Sequence, residues 1–155
     1  MKTKKLITKK KDKKIIVMTS GFFNPIHIGH INLIREAKKL GDFLVVIVNN
    51  DLQVKLKGSI SFMDEKERIK IIKALRYADK VVLSIDKDRT VAESLKLVVK
   101  QHTGKFIFAK GGDRNSGNIP ESEKKVCKDF KIKIVNSVGG GKVQSSSWLI
   151  KKATK

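Results

Sequence analysis

The chain has 155 residues, a length that fits one domain with a hydrophobic core of its own. Its 35 lysine and arginine residues against 15 acidic residues give a net charge of +20, which favours anionic partners such as nucleotides or nucleic acid. No apolar run approaches the roughly 20 residues of a membrane span, and the single cysteine, Cys127, excludes an internal disulfide. We therefore expect a cytoplasmic protein with no membrane contact.

Much of the positive charge lies at the N-terminus. Residues 1–14 carry eight lysines against Asp12, which predicts a basic, flexible arm ahead of one domain over residues 15–155. Such an arm can contact nucleic acid. However, RNA recognition usually adds exposed aromatic residues, and most aromatic residues here lie within apolar runs. A solvated arm is therefore the favoured interpretation.

Short apolar runs alternate with segments of helical periodicity along the rest of the chain. We expect strands at residues 15–19, 43–48, 80–85, 105–109 and 131–135. We expect helices to begin near His27–His30, Asp64, Thr90, Glu121 and Trp148, whereas residues 51–63 are expected to be irregular. Strict alternation predicts an α/β fold, a Rossmann-like doubly wound parallel sheet of five strands in a single domain.

Four distinctive stretches follow predicted strands or precede predicted helices. They are GFFNPIHIGH (21–30), the loop with Lys55 and Lys57, KGGDR (110–114) and QSSS (144–147). Ligands bind such sheets at the C-terminal ends of the strands. We therefore expect the four stretches to line a single cleft.

Two histidines mark the first of these stretches. His27 and His30 lie one turn apart at a predicted helix start, where backbone N–H groups and the helix dipole favour phosphate. A metal pair would need further ligands at matching spacing, and the third histidine, His102, lies far along the chain. A purely structural pair is the other alternative. The pattern favours chemistry on phosphate and no metal held by the protein alone.

Other phosphate-binding signatures are missing. No GxGxxG follows the first strand, and there is no GxxxxGK[ST] loop, which argues against P-loop kinases and ATPases. Lys55 and Lys57 are either surface lysines or clamps on a phosphoryl group. The three serines either cap the last helix or offer its N–H groups to phosphate.

GFFNPIHIGH resembles the HxGH signature of the nucleotidylyltransferase, or cytidylyltransferase-like, superfamily. The likeness continues through LGD before FLVVIVNND, then KGGDR, then QSSS before WLIKK, and covers about residues 15–153. Its pattern is most similar to heptose-1-phosphate adenylyltransferases and glycerol-3-phosphate cytidylyltransferases. The resemblance implies an enzyme that transfers a nucleoside monophosphate from an NTP, with ATP favoured, to a phosphorylated small molecule, with a sugar phosphate favoured. Pyrophosphate would be released.

The resemblance also implies roles for individual residues. His27, His30 and Lys57 would be catalytic, and Arg68 would contact the acceptor phosphate or support the site. The nucleotide would be bound by Gly21, Phe22, Phe23, Asn24, Lys55, Lys110, Gly112, Asp113, Arg114, Gln144, Ser145, Ser146 and Ser147. Mg²⁺ bridging the triphosphate and a homodimer are implied as well.

Two residues depart from the superfamily pattern. Asn24 stands where aspartate is usual, and Arg114 replaces an aromatic residue. Three alternatives therefore stay open: a CTP-dependent enzyme acting on glycerol-3-phosphate or a similar polyol phosphate, an archaeal-type FAD synthetase, and a nucleotide- or RNA-binding protein without turnover.

Overall fold

Five parallel strands form one sheet in the computed structural model, which describes residues 13–112, 118–141 and 143–154. The strands are β1 (Ile15–Gly21), β2 (Phe43–Val48), β3 (Lys80–Leu83), β4 (Lys105–Gly111) and β5 (Ile132–Val138), in the order β3-β2-β1-β4-β5. Every neighbouring pair is parallel. The predicted Rossmann-like α/β fold is confirmed.

Six helices accompany the sheet. They are α1 (Ile28–Lys38), α2 (Asp51–Leu56), α3 (Glu65–Lys73), α4 (Ala92–Gln101), α5 (Glu121–Asp129) and α6 (Ser146–Ala153). The core residues of α1 and α3 pack on one face of the sheet, whereas those of α4 and α5 pack on the other. Because both faces are covered, the central strands are apolar throughout rather than alternating. None of the described helices is long and apolar enough to cross a bilayer.

The order of the strands places a switch point between β1 and β4. The chain moves outward from β1 to β3 along one face and returns to β4 and β5 along the other. As a result, the N-terminus of α1 and the loop before α4 approach the same edge of the sheet from opposite faces. This is the place where sheets of this kind bind their ligands.

The structure corrects several boundaries of the predicted elements. The expectation that residues 51–63 are irregular is wrong for α2, which begins with a capping box between Asn50 and Gln53. Strand β3 ends at Leu83 rather than at residue 85, and β5 continues to Val138 past a register shift. Helix α4 begins at Ala92 rather than Thr90, and α6 begins two residues before Trp148. The ends of helices and strands are hard to place from sequence, because the apolar periodicity extends over too few residues there.

Candidate functional site

A cleft of about 560 Å³ opens over the ends of β1 and β4. The predicted site residues that line it are Gly21, Phe22, His27, His30, Lys57, Lys110, Gly112, Gln144, Ser145, Ser146 and Ser147. Asp113 and Arg114 lie outside the described residues. The described parts of the four distinctive stretches therefore meet in one place.

The two histidines are fixed by the way α1 begins. His27 is the N-cap residue, and its Nδ1 accepts a hydrogen bond from the Gly29 N–H at 3.1 Å. The His27 N–H in turn donates to Nδ1 of His30 at 3.2 Å. The two rings are stacked with centroids 3.7 Å apart. This reciprocal cap does with two imidazoles what a serine and a glutamate do in an ordinary capping box.

The cap also sets which ring nitrogen carries the proton. Since Nδ1 accepts in both rings, a neutral imidazole there is protonated at Nε2. Burial lowers the pKa of His30 to about 3, with smaller contributions from the charges of His27 and Lys57. At neutral pH His30 is therefore an uncharged donor through its Nε2–H. This state suits hydrogen bonding to a phosphate oxygen and is unsuited to proton release.

We expect the His30 ring to keep its neutral signals from pH 8 to pH 5. An ordinary histidine titrates near 6.5, whereas protonation of His30 in the folded protein is deferred to about pH 3. As the pH falls, the unfolded chain therefore takes up this proton at a higher pH than the folded protein does. For this reason His30 lowers the free energy of unfolding as the pH falls below about 6.5, the ordinary pKa of histidine. Imidazole ¹⁵N NMR of the ligand-free protein measures both the titration and the tautomer. A His30 midpoint near 6.5, or a protonated Nδ1, would contradict this geometry.

Phe23 lies beneath His30 rather than in the cleft. Its side chain is 1% exposed and meets His30 edge-on, with ring centroids 4.9 Å apart. A Cβ at Gly21 would come within 2.8 Å of the Phe23 ring, so the turn needs glycine there. The structure thus gives the Phe23 side chain a supporting position, and its contact with the nucleotide stays a prediction.

The N-terminus of α6 faces the cleft beside the histidines. Ser145 caps the helix by accepting a hydrogen bond from the Trp148 N–H at 3.1 Å. Ser146 donates from its hydroxyl to the Pro25 carbonyl at 2.7 Å, which ties α6 to the turn that carries His27. Two helix N-termini therefore converge on one space, a geometry that favours an anion.

Asn24 is a buried link between the turn that carries His27 and the loop before α3. Its amide Nδ2 donates to the Ile60 carbonyl at 2.6 Å, and its Oδ1 accepts from the N–H groups of Phe62 and Met63. The side chain is 2% exposed. An amide offers both the donor and the acceptor that this link needs, whereas an ionised aspartate offers only acceptors. Its contact with the nucleotide stays a prediction beside this structural link.

Replacing Asn24 with aspartate should destabilise the protein by about 1–3 kcal/mol, because the Ile60 carbonyl loses its donor and faces a carboxylate instead. Urea unfolding measures the loss. Hydrogen exchange at the Phe62 and Met63 amides should report whether the loop loosens. Asn136→Asp, at an exposed position of β5, is the control for the added charge. A variant as stable as the wild type would show that the link contributes nothing.

Comparison with known proteins assigns the chain to a family. The profile of the cytidylyltransferase-like family matches residues 18–147, most of the chain. The chain belongs to the cytidylyltransferase-like family.

Relatives within this family differ in their names. The chain is 39% identical over 85 residues to an FAD synthase of Thermoplasma acidophilum, covering 54% of this chain and 60% of that protein. It is 34% identical over 141 residues to the bifunctional protein HldE of Citrifermentans bemidjiense, covering 90% of this chain and 27% of that protein. A crystal structure titled as the lipopolysaccharide core biosynthesis protein from Thermoplasma volcanium superposes with a TM-score of 0.63. It shares 33% identity over 80% of this chain and 96% of its own.

Arg68 occupies a buried position in this cytidylyltransferase-like domain. Its side chain is fully enclosed. The guanidinium donates to the carbonyls of Phe22, Asn49 and Met63 and pairs with Asp51 at 2.8 Å. Of the two predicted roles, this geometry fits support of the site and leaves no guanidinium surface for an acceptor phosphate.

The remaining predicted cations differ in access. Lys57, at the C-cap of α2, lines both the cleft and a neighbouring cavity of about 390 Å³. Lys55 is exposed and lines neither cavity. Lys110 is mostly buried, and its ammonium pairs with Glu123 at 3.1 Å. The neighbouring cavity leaves room for a second substrate beside Lys57.

Several cleft residues escaped the sequence analysis. Arg89 precedes α4, and Glu123 lies on α5. Gly139 passes over α1 so closely that a Cβ would come within 2.8 Å of the Leu33 nitrogen, and its φ is +88°. Arg89 lies between the end of a strand and the start of a helix, as the four distinctive stretches do, so the same criterion points to it. Glu123 had no such signal, because it is one charge among many on its helix.

The donor groups around the cleft do not form a resident metal site. Among the described residues, no three His, Cys, Asp or Glu side chains cluster as metal ligands. Of the described carboxylates, only that of Glu123 lines the cleft, and its two oxygens accept from Lys110 and the Val91 N–H. Mg²⁺ usually binds substrate phosphates with few protein ligands. Mg²⁺ carried by the phosphates of a nucleotide substrate is compatible with the described lining of this cleft.

Proposed function

We propose that this protein transfers a nucleoside monophosphate from an NTP to a phosphorylated small molecule and releases pyrophosphate. The observation that carries the proposal is the pair of stacked, mutually capped imidazoles at the switch point, in which Nδ1 of each ring accepts a hydrogen bond within the cap of α1. Family membership supports it independently.

The chemistry needs charge stabilisation more than proton transfer. An acceptor phosphate is largely ionised at neutral pH, since its second pKa is about 6, so it attacks the α-phosphorus without a general base. The bond from that phosphorus to the bridging oxygen breaks as the new bond forms in line. His27 and His30 donate to the α-phosphate oxygens, where negative charge accumulates in the transition state.

The leaving group needs its own donors. We assign pyrophosphate to the N-terminus of α6, where Ser145–Ser147 line the cleft. Lys57 would hold the α-phosphate and the acceptor phosphate together, because it lies where the cleft meets the second cavity. Mg²⁺ enters bound to the triphosphate and lowers its net charge.

ATP and a sugar phosphate are the favoured substrates. The match to HldE extends over 90% of this chain, and the structural match covers nearly all of a protein named for lipopolysaccharide core biosynthesis. A second candidate acceptor is FMN, because the FAD synthase of Thermoplasma acidophilum is 39% identical over 85 residues. FAD consists of FMN joined to AMP, and FMN is itself a phosphorylated small molecule.

A substrate matrix tests the proposal. Each of the four NTPs is offered with sugar phosphates, glycerol-3-phosphate or FMN in the presence of Mg²⁺, and pyrophosphate release is followed. We expect release that depends on both substrates, with ATP and a sugar phosphate as the best pair. Release with FMN alone among the acceptors would select the second candidate. No acceptor-dependent release with any pair would refute nucleotidyl transfer.

A further inference from the structure

Arg89 lies in the loop between β3 and α4 and lines the cleft with an exposed side chain. Because α4 packs on the face of the sheet opposite α1, this arginine reaches the cleft from the side that faces the two histidines. Among the described residues, no ion pair or hydrogen bond engages its guanidinium. Its charge is therefore available to a ligand.

The backbone on both sides of Arg89 is held by one buried side chain. Gln53 has no exposed surface, and its Nε2 donates to the carbonyls of Asp88 at 2.8 Å and Thr90 at 2.7 Å. The Asp88 carboxylate also accepts from the N–H and hydroxyl of Thr90. The Arg89 backbone is thus fixed while its side chain stays accessible.

The same short helix also positions Lys57. The Lys57 N–H donates to the Gln53 carbonyl at 3.0 Å, so Gln53 contacts both cation-bearing segments, one through its side chain and one through its backbone. Asn50 adds further hydrogen bonds to the segment between β3 and α4, since its Nδ2 donates to the carbonyls of Ser84 and Asp86 at 3.0 Å. Helix α2 therefore sets the spacing between Lys57 and Arg89 at the cleft.

The described cleft holds few positive charges for a triphosphate besides Lys57, which leaves a role for a second cation on this side. On the opposite side, the donors are hydroxyls, helix N–H groups and imidazoles, of which His30 is neutral at pH 7. The charge of Lys110 is compensated by Glu123. A guanidinium offers five N–H donors in a planar fork that matches phosphate oxygens.

We propose that Arg89 is a further substrate-binding residue that contacts the triphosphate from the side facing His27 and His30, with Gln53 as its positioning residue. The identity of the ligand as an NTP rests on the proposed function. The contact itself can be tested without turnover.

Equilibrium binding to the full-length protein tests the contact. The probes are Mg²⁺–ATP, Mg²⁺–tripolyphosphate and adenosine, with no acceptor present. Arg89→Ala should weaken both triphosphate probes at least tenfold and leave adenosine within twofold. Arg76→Ala, an exposed arginine stacked on Tyr77 outside the cleft, is the matched control and should change none of them. Unchanged triphosphate binding would overturn the proposal, as would an equal loss for adenosine.

A double-mutant cycle tests the role of Gln53. Gln53→Met removes the two donors that flank Arg89 and should weaken Mg²⁺–ATP binding severalfold in the wild-type background. In the Arg89→Ala background the same change should have little effect, because the residue that it positions is absent. Additive losses would instead indicate a general structural role. If triphosphate binding depends on Arg89 but the substrate matrix shows no nucleotidyl transfer, the proposed function is refuted and the Arg89 contact is supported.

Discussion

Replacing His30 with alanine should lower kcat at least 100-fold, a loss typical of removing one hydrogen-bond donor from a charge that develops in the transition state. The Nε2–H of His30 is an uncharged donor that the N-terminal cap of α1 fixes in place. KM for the nucleotide should change much less, because the contact strengthens chiefly as the α-phosphate gains charge. Steady-state kinetics of pyrophosphate release measure both constants.

A second variant separates catalysis from capping. In His30→Asn, the side-chain oxygen can take over the acceptor position of Nδ1 toward the His27 N–H, but no group replaces Nε2–H. This variant should regain stability relative to His30→Ala and remain equally slow. His102→Ala is the control, since that ring lies at the C-terminal end of α4, against Phe43. Near-normal kcat in both His30 variants would remove this residue from the catalytic group.

Arg68→Met should destabilise the fold by about 3–5 kcal/mol, because three backbone carbonyls lose their buried donor and the Asp51 carboxylate loses its ion-pair partner. The guanidinium joins the end of β1, the end of β2 and the loop before α3 through carbonyls at Phe22, Asn49 and Met63. These are the segments that carry the turn with His27 and lead into α2. Urea unfolding measures the loss, and ligand-free protein suffices.

The exposed Arg76 again provides the control, and Arg76→Ala should stay within about 0.5 kcal/mol of the wild type. The two predicted roles for Arg68 have opposite consequences. A supporting residue lowers the free energy of unfolding when it is replaced. If stability were unchanged and KM for the acceptor alone rose, Arg68 would be an acceptor contact and the burial described above would be irrelevant to its role.

The sheet was predictable because its signal is repeated along the whole chain. Runs such as FLVVIV are buried on both faces, and glycine or polar residues separate them from helical periods. Helix α2 was not found because six residues are too few for a period, and its Asn50–Gln53 capping box lacks the serine or threonine of the usual signature. Element ends were displaced for the same reason.

The candidate site was predictable where a motif carries the chemistry, as in the two histidines and the serines. It was less predictable where tertiary packing decides a role. Nothing in the sequence distinguishes the enclosed Arg68 from the accessible Arg89, since each is an arginine close to the start of a helix. Phe23 and Asn24 belong to the motif, but the fold turns their side chains beneath the cleft and into the loop contact.

The fate of the three phosphates tests the central claim most directly. ATP labelled with ³²P at either the α or the γ position is incubated with the best acceptor found in the substrate matrix. We predict that the α label enters the acceptor product and that the γ label appears in pyrophosphate, one for each product molecule. Release of the γ label as orthophosphate, or of the α label as free AMP at the same rate without acceptor, would contradict nucleotidyl transfer at the paired histidines.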